Sequence, residues 1–173
     1  MDGWPSLRSG DKHRNVRTLQ HLLNHHGSSI AVDGEFGPET EAALKRFQSE
    51  DGLEPDGVVG APVWLRLIAR VSMGDAGEAV KAAQVQLLYR RTLPDVDGVF
   101  GVKTDISLRR LQVLKRLPAD GTVSAETWRE MLADQSLPGD AAAGGDEVDP
   151  ADWRAQLLAK LRPGYQPGEG RPF

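Results

Sequence analysis

Apolar side chains recur along this chain at three- and four-residue spacing. They come in short bursts separated by glycine and proline, the period of helices that bury one face. Val16, Leu19 and Leu23 mark a first helix, and Gly27 stands where a left-handed residue would close it. Pro38 opens a second helix at the position where its missing N–H costs nothing. Thr40, Ala43, Leu44 and Phe47 form the inward face of that helix, up to Gly52. A turn at Asp56-Gly57 leads to a third helix from about Ala61, with Trp64, Leu67 and Ile68 inward. Val32 and Val59 lie in short extended pieces before the helices, with room for a residue or two of strand pairing.

The pattern then runs a second time, 64 residues later. Asp33-Gly34-Glu35-Phe36-Gly37 returns as Asp97-Gly98-Val99-Phe100-Gly101. Without a gap, the same shift pairs Val16 with Val80, Gln20 with Gln84, Leu23 with Leu87 and Thr40 with Thr104. It continues through Leu44 and Leu108, Gln48 and Gln112, Asp56-Gly57 and Asp120-Gly121, and Trp64 and Trp128. One register kept over so many positions means two copies of one unit. The second copy departs at Ala83 for Leu19, Leu111 for Phe47, and Arg91 and Arg116 for Gly27 and Gly52; Ser124 is placed to cap its third helix. A bundle of about 60 residues is marginal alone, so the copies are expected to pack on each other. The core expected is Leu23, Phe36, Leu44, Phe47, Trp64 and Leu67 in copy one, and Leu87, Phe100, Leu108, Leu111, Trp128 and Met131 in copy two.

The string Asp-Gly-x-Phe-Gly-x-x-Thr, an apolar helix ending Phe-Gln, then Gly-Leu-x-x-Asp-Gly-x-Val-Gly and a Trp resembles the peptidoglycan-binding domain of the three-helix type. Here it runs from Asp33 to Thr40, through Phe47-Gln48 and Gly52-Leu53, to Asp56–Gly60 and Trp64, and most of it recurs in copy two. The resemblance covers about three-quarters of the chain. It implies non-covalent attachment to bacterial cell wall, in a module that usually accompanies a wall-cleaving domain. The fold expected is therefore all-α: two tandem three-helix bundles, residues 1–70 and 71–135, then a tail over 136–173.

Composition narrows the function. The 173 residues carry a formal charge of −4, which argues against bulk nucleic-acid binding, since that needs a basic excess. There is no cysteine, hence no disulfide, thiolate nucleophile or cysteine metal site. No apolar stretch is long enough to span a bilayer, and the opening Met1-Asp2-Gly3-Trp4-Pro5 shows no basic and apolar run of a secretory signal. A cell-wall or extracellular location, phage-associated or reached by lysis, is expected, with a cytoplasmic one left open.

Candidate chemistry is sparse. His21 and His25 have a spacing able to bind zinc, but no Glu follows His21, and copy two has Val85 and Tyr89 there, so solvated histidines near a helix end are the plainer reading. Asp33, Asp56, Asp97 and Asp120 invite a paired-carboxylate mechanism, yet each precedes Gly and is explained as turn chemistry. The amides of Gln20, Gln48, Gln84 and Gln112 are read as ties to loop backbone. Trp64 and Trp128 fall in helical phase with core positions, leaving Trp4 and Tyr89 for exposed contacts. No catalytic residue, metal or cofactor is expected.

Wall binding is expected to be stronger in copy two, at the N-terminal end of its second helix. Gly101, Lys103 and Thr104, with Arg109 and Arg110 further along, offer N–H groups, cations and a hydroxyl to a stem-peptide carboxylate. In copy one, Pro38 removes a donor there, and Glu39 and Glu41 repel an anion. The tail begins as an acidic Gly/Ala linker from Leu137 to Asp149. A short helix follows from about Pro150 to Arg162, and its stripe of Trp153, Leu157 and Leu161 is expected to be covered by one of the repeats or to dock a protein partner; the residues from Pro163 on suit disorder. Two functions are carried forward: a non-catalytic wall anchor for an enzyme, virion or secreted particle, and an intracellular protein–protein adaptor or inhibitor on the same bundle.

Overall fold

The computed structural model describes residues 3–90 and 95–133. Six helices follow in order: α1 (Arg14–His25), α2 (Pro38–Glu50), α3 (Ala61–Leu67), α4 (Glu78–Tyr89), α5 (Val102–Leu114) and α6 (Ala125–Ala133). The described residues are helical with four isolated antiparallel bridges, Leu7 with Val59, Lys12 with Glu35, Val71 with Val123 and Ala76 with Val99. The last two repeat the first two at the 64-residue shift. Val59 thus pairs as expected, and its partner is a segment that precedes the first helix. The expectations for Trp153, Leu157 and Leu161 lie outside the described residues.

Local signals set the helix ends. After α1, Gly27 takes φ 90°, and the Ser28 N–H returns to the Leu23 carbonyl at 3.0 Å, the left-handed closure expected of that glycine. After α2, Gly52 takes φ 70°, and the Leu53 N–H reaches the Gln48 carbonyl at 2.8 Å. Copy two keeps this geometry although the glycine is gone. Arg116 sits at φ 58°, the one described non-glycine residue with positive φ, and Leu117 bonds the Gln112 carbonyl at 2.8 Å. The closure is therefore imposed by the loop that follows, and arginine bears the strain. Ser124 Oγ accepts from the Thr127 N–H at 3.3 Å, as its sequence position implies for a helix cap.

All twelve expected core residues are buried. Trp64 and Trp128 are fully enclosed. Their indole N–H groups donate to the carbonyls of Pro5 and Ala69, each at 2.8 Å, so each ring ties the segment entering its copy to the third helix. The ring polarity is satisfied and nothing is left to stack on a sugar.

The copies share one core. α1 and α4 lie against each other, and both are buried on most sides. Their contacts run antiparallel: Asn15 and Thr18, early in α1, meet Gln86 near the end of α4, and His21, late in α1, meets Glu78 at the start of α4. Fully buried Ala82 and Ala83 let the backbones approach. Ala83 for Leu19 leaves a smaller side chain in the core of copy two. The interface is also polar. Gln86 donates to Asn15 at 2.8 Å and to Thr18 at 2.9 Å, Asn15 donates to the Leu132 carbonyl, and Arg90 donates to Gln86 and to the Met131 carbonyl at 2.7 Å. Buried groups so matched fix one docking geometry, because any slip orphans them.

Candidate functional site

The repeated glutamines and Asp-Gly pairs form four copies of one device. Gln20 Nε2 donates to Asp33 Oδ1 at 2.7 Å, the Glu35 carbonyl at 3.1 Å and Thr40 Oγ1 at 3.1 Å, and its Oε1 accepts from the Gly34 N–H at 2.9 Å. Gln84 repeats all four bonds with Asp97, Val99, Thr104 and Gly98. Gln48 holds Asp56, Val58 and Gly57 in the same way, and Gln112 holds Asp120, Thr122 and Gly121. In each case a buried amide on one helix pins the turn that feeds the next.

This settles what the aspartates do. Each carboxylate accepts from the backbone N–H two residues on, at 2.8–2.9 Å, and from the glutamine. The Gln20 amide, then the Glu35 N–H, holds Asp33 below the usual carboxylate range. For Asp56 and Asp97 the N–H of Val58 and Val99 leads, followed by Gln48 and Gln84. Asp120 is lowered first by the Thr122 N–H. A glycosidase acid needs a raised pKa; these four are shifted the other way.

His21 departs from a solvated helix end, whereas His25 and His26 are exposed as expected. His21 is buried, and its Nδ1 lies 2.6 Å from Glu78 Oε2 on the other copy. Burial works to raise Glu78, but hydrogen bonds from Lys81 and His21 outweigh it and leave its pKa lowered. His26 lies edge-on to Phe47, and its Nε2 is 3.0 Å from the Leu67 carbonyl. The equivalent Arg90 meets the equivalent Met131 carbonyl, so the two residue types do one job. Burial, then the neighbouring His26, lowers His25. No group of three or more metal-ligating side chains occurs among the described residues. Tyr89 is exposed as expected, whereas Trp4 is half-buried against the core.

The five residues expected to bind wall separate into two sets. Thr104 is buried and its hydroxyl accepts from Gln84. Arg109 is a strut: its Nε donates to Asp105 at 2.8 Å and its terminal nitrogens to the carbonyls of Ala119 and Asp120. Both help to hold turns. Gly101, Lys103 and Arg110 remain at the surface along α5, with exposed Val102 and Ile106 beside them. The repeat already pairs Thr104 with the inward Thr40, but spacing gives no sign of the role of Arg109, which depends on which way the turn after α5 folds back.

Copy one presents an open cleft of about 260 Å³ at the N-terminal end of α2. It is lined by Ser9, Asp11, Lys12, Glu35, the buried edge of Phe36, and Pro38. Lys12 Nζ and Glu35 Oε1 pair across it at 2.9 Å, both well exposed. Glu41 is held low by hydrogen bonds first from Lys45 and then from Ser9. The polar groups are presented by the Lys12–Glu35 bridge, a pairing that sequence spacing does not reveal.

Six helices among the described residues, in two interlocked copies with two pairs of glutamine clamps, define a tandem three-helix fold. The family described as "Putative peptidoglycan binding domain" matches residues 12–67 and again 76–131, and the chain belongs to that family. It is 43% identical over 58 residues to the zinc D-Ala-D-Ala carboxypeptidase of Streptomyces albus G, covering 32% of this chain and 23% of that protein. It is 27% identical over 158 residues to a probable N-acetylmuramoyl-L-alanine amidase of Bacillus licheniformis, covering 73% and 44%. An uncharacterized protein of Kitasatospora aureofaciens is 40% identical over 72 residues, covering 40% and 61%. The chain thus spans less than two thirds of each of these relatives. Among solved structures, a peptidoglycan-binding protein from Clostridioides difficile in complex with glutamine hydroxamate is similar at 30% identity and TM-score 0.37, covering 39% of this chain and 42% of that one. The Burkholderia AP3 phage endolysin is similar at 24% identity and TM-score 0.37, covering 62% and 38%.

Proposed function

We propose that this chain binds peptidoglycan without cleaving it and anchors a partner enzyme, virion or secreted particle to the bacterial wall. The observation that carries this reading is the double family match over most of the described residues. The carboxylates that chemistry would need are committed to turns, which supports a non-catalytic role. A location at the cell wall, with export by lysis or in a phage particle, belongs to the same proposal. So does attachment of the cargo through Trp153, Leu157 and Leu161.

We place the wall contact at the α2 cleft of copy one. Ser9, Lys12 and Glu35 offer donors and acceptors beside an open recess, while Asp11, Glu35 and Glu39 disfavour a carboxylate. The ligand that fits is the hydroxyl- and amide-bearing glycan. The end of α5 at Gly101, Lys103 and Arg110 is the competing surface, and it would take the anionic stem peptide. Cosedimentation of the full chain with purified sacculi separates the two. Glu35→Ala should weaken retention about ten-fold or more, the worth of a charge-assisted hydrogen bond, while Lys103→Glu leaves it unchanged. The reverse result moves the contact to α5. Wild-type protein left wholly in the supernatant at low salt removes wall binding and favours the adaptor.

A further inference from the structure

Copy two is more apolar than copy one at several matching exposed positions. Ser9, Lys12, Glu35 and Pro38 of the first cleft become Met73, Ala76, Val99 and Val102, and along the helix Ala42, Ser49 and Glu50 become Ile106, Val113 and Leu114. Met73, Val99, Val102, Ile106, Val113 and Leu114 are all exposed, Leu114 by 75%. Positions 102, 106, 109 and 113 fall on one side of a helix; Arg109 breaks the apolar row there, with its guanidinium turned onto Asp105 and the carbonyls of Ala119 and Asp120. The sign of the charge inverts as well. Residues 102–116 carry five cations, Lys103, Arg109, Arg110, Lys115 and Arg116, against the one carboxylate of Asp105, in a chain of net charge −4; the matching 38–52 carry four carboxylates and two cations.

We propose that the outward face of α5, with its apolar row of Val102, Ile106 and Val113 and exposed Lys103 and Arg110 beside it, docks an acid-flanked amphipathic helix of a partner protein. α5 has 13 residues, about 20 Å at 1.5 Å per residue, which matches a partner helix of three to four turns laid along it. The apolar row supplies the buried contact, and the cations select acidic neighbours and repel basic ones. A second copy fits less well, because an isologous pairing brings Lys103 and Arg110 against their own counterparts. Copy one then faces the wall, and copy two offers a partner surface in addition to the tail. Docking on α5 does not depend on wall binding, and its test reads a different variant.

The test titrates the full 15N-labelled chain with two synthetic 14-residue helical peptides. They share one leucine stripe and differ only in having glutamate or lysine flanks. The expected result is shifts confined to Val102, Lys103, Ile106, Arg110, Val113 and Leu114 with the glutamate peptide, and at least ten-fold weaker binding of the lysine peptide. Ile106→Glu should lower affinity for the glutamate peptide at least ten-fold, with Tm and sacculus retention unchanged. Equal binding of both peptides, binding of neither, or shifts centred elsewhere overturns the proposal. Self-association of the free chain that Ile106→Glu abolishes would make the occupant a second copy. Movement of the α5 resonances on deleting residues 137–173 would make it the chain's own tail. Loss of sacculus retention in Ile106→Glu would make the face a wall surface.

Discussion

Replacing Gln20 by leucine removes one of the four clamps while filling nearly the same volume. The side chain is 1% exposed and makes four hydrogen bonds, at 2.7, 3.1, 3.1 and 2.9 Å. Two of the groups released are well placed to recover: Asp33 and Glu35 are exposed and regain water. The buried N–H of Gly34 is not, while the Thr40 hydroxyl keeps its bond to the Glu35 carbonyl at 3.4 Å. An orphaned buried donor costs about 1–3 kcal/mol, and each bond lost is worth about 0.5–1.5 kcal/mol net; leucine returns part of this through its apolar surface. A net loss of about 2–4 kcal/mol is expected, a large share of the roughly 5–15 kcal/mol that holds an ordinary domain together. Urea unfolding followed by tryptophan fluorescence measures it. Buried Trp64 and Trp128 report on one copy each, and the shared α1–α4 core predicts that both melt in one transition. Gln20→Glu is the companion variant. It keeps an acceptor for Gly34 but loses the donors and faces Asp33, so it should be at least as damaging at neutral pH. A loss below about 1 kcal/mol in Gln20→Leu, within the range of a single bond, would mean that the turn holds itself through Asp33 and its own backbone. The clamp would then be a consequence of the fold and not a cause.

Two further outcomes follow from the same geometry. Arg116→Gly should raise stability by about 0.5–1 kcal/mol, since a left-handed non-glycine residue costs about 1–2 kcal/mol and glycine gives back part of that as unfolded-state entropy; a lower urea midpoint in this variant would refute the strain. Asp33, Asp56, Asp97 and Asp120 all have folded pKa values below their ordinary one. The folded state therefore holds fewer protons than the unfolded state, and the stability they supply is complete above the ordinary aspartate pKa near 4 and lost as pH falls through their lowered values. Urea midpoints that stay flat from pH 5 to pH 2 would contradict this.

Much of the molecule was legible from local chemistry. Helix phase is set by the side chains of one segment, so Val16, Leu23, Leu44 and Trp64 declared their buried faces without reference to anything distant. Asp-Gly turns and the glycine after a helix are equally local, and the repeat doubled every such signal. The family resemblance added peptidoglycan binding as the expected function, and both copies match that family. What the sequence by itself could not decide lies wherever two segments meet. Gln20 and Gln84 were marked as backbone ties, but the four-bond pattern needs the turn folded onto the helix. His21 reads as solvated from its own segment, because nothing in its own helix announces Glu78 of the other copy. Thr104 and Arg109 have the chemistry of ligand-binding groups, and the fold turns both onto its own loops. Polar side chains carry the same donors whether they meet a ligand, a turn or a neighbouring helix. Tertiary structure alone determines which partner arrives first, and so which groups are left for the wall.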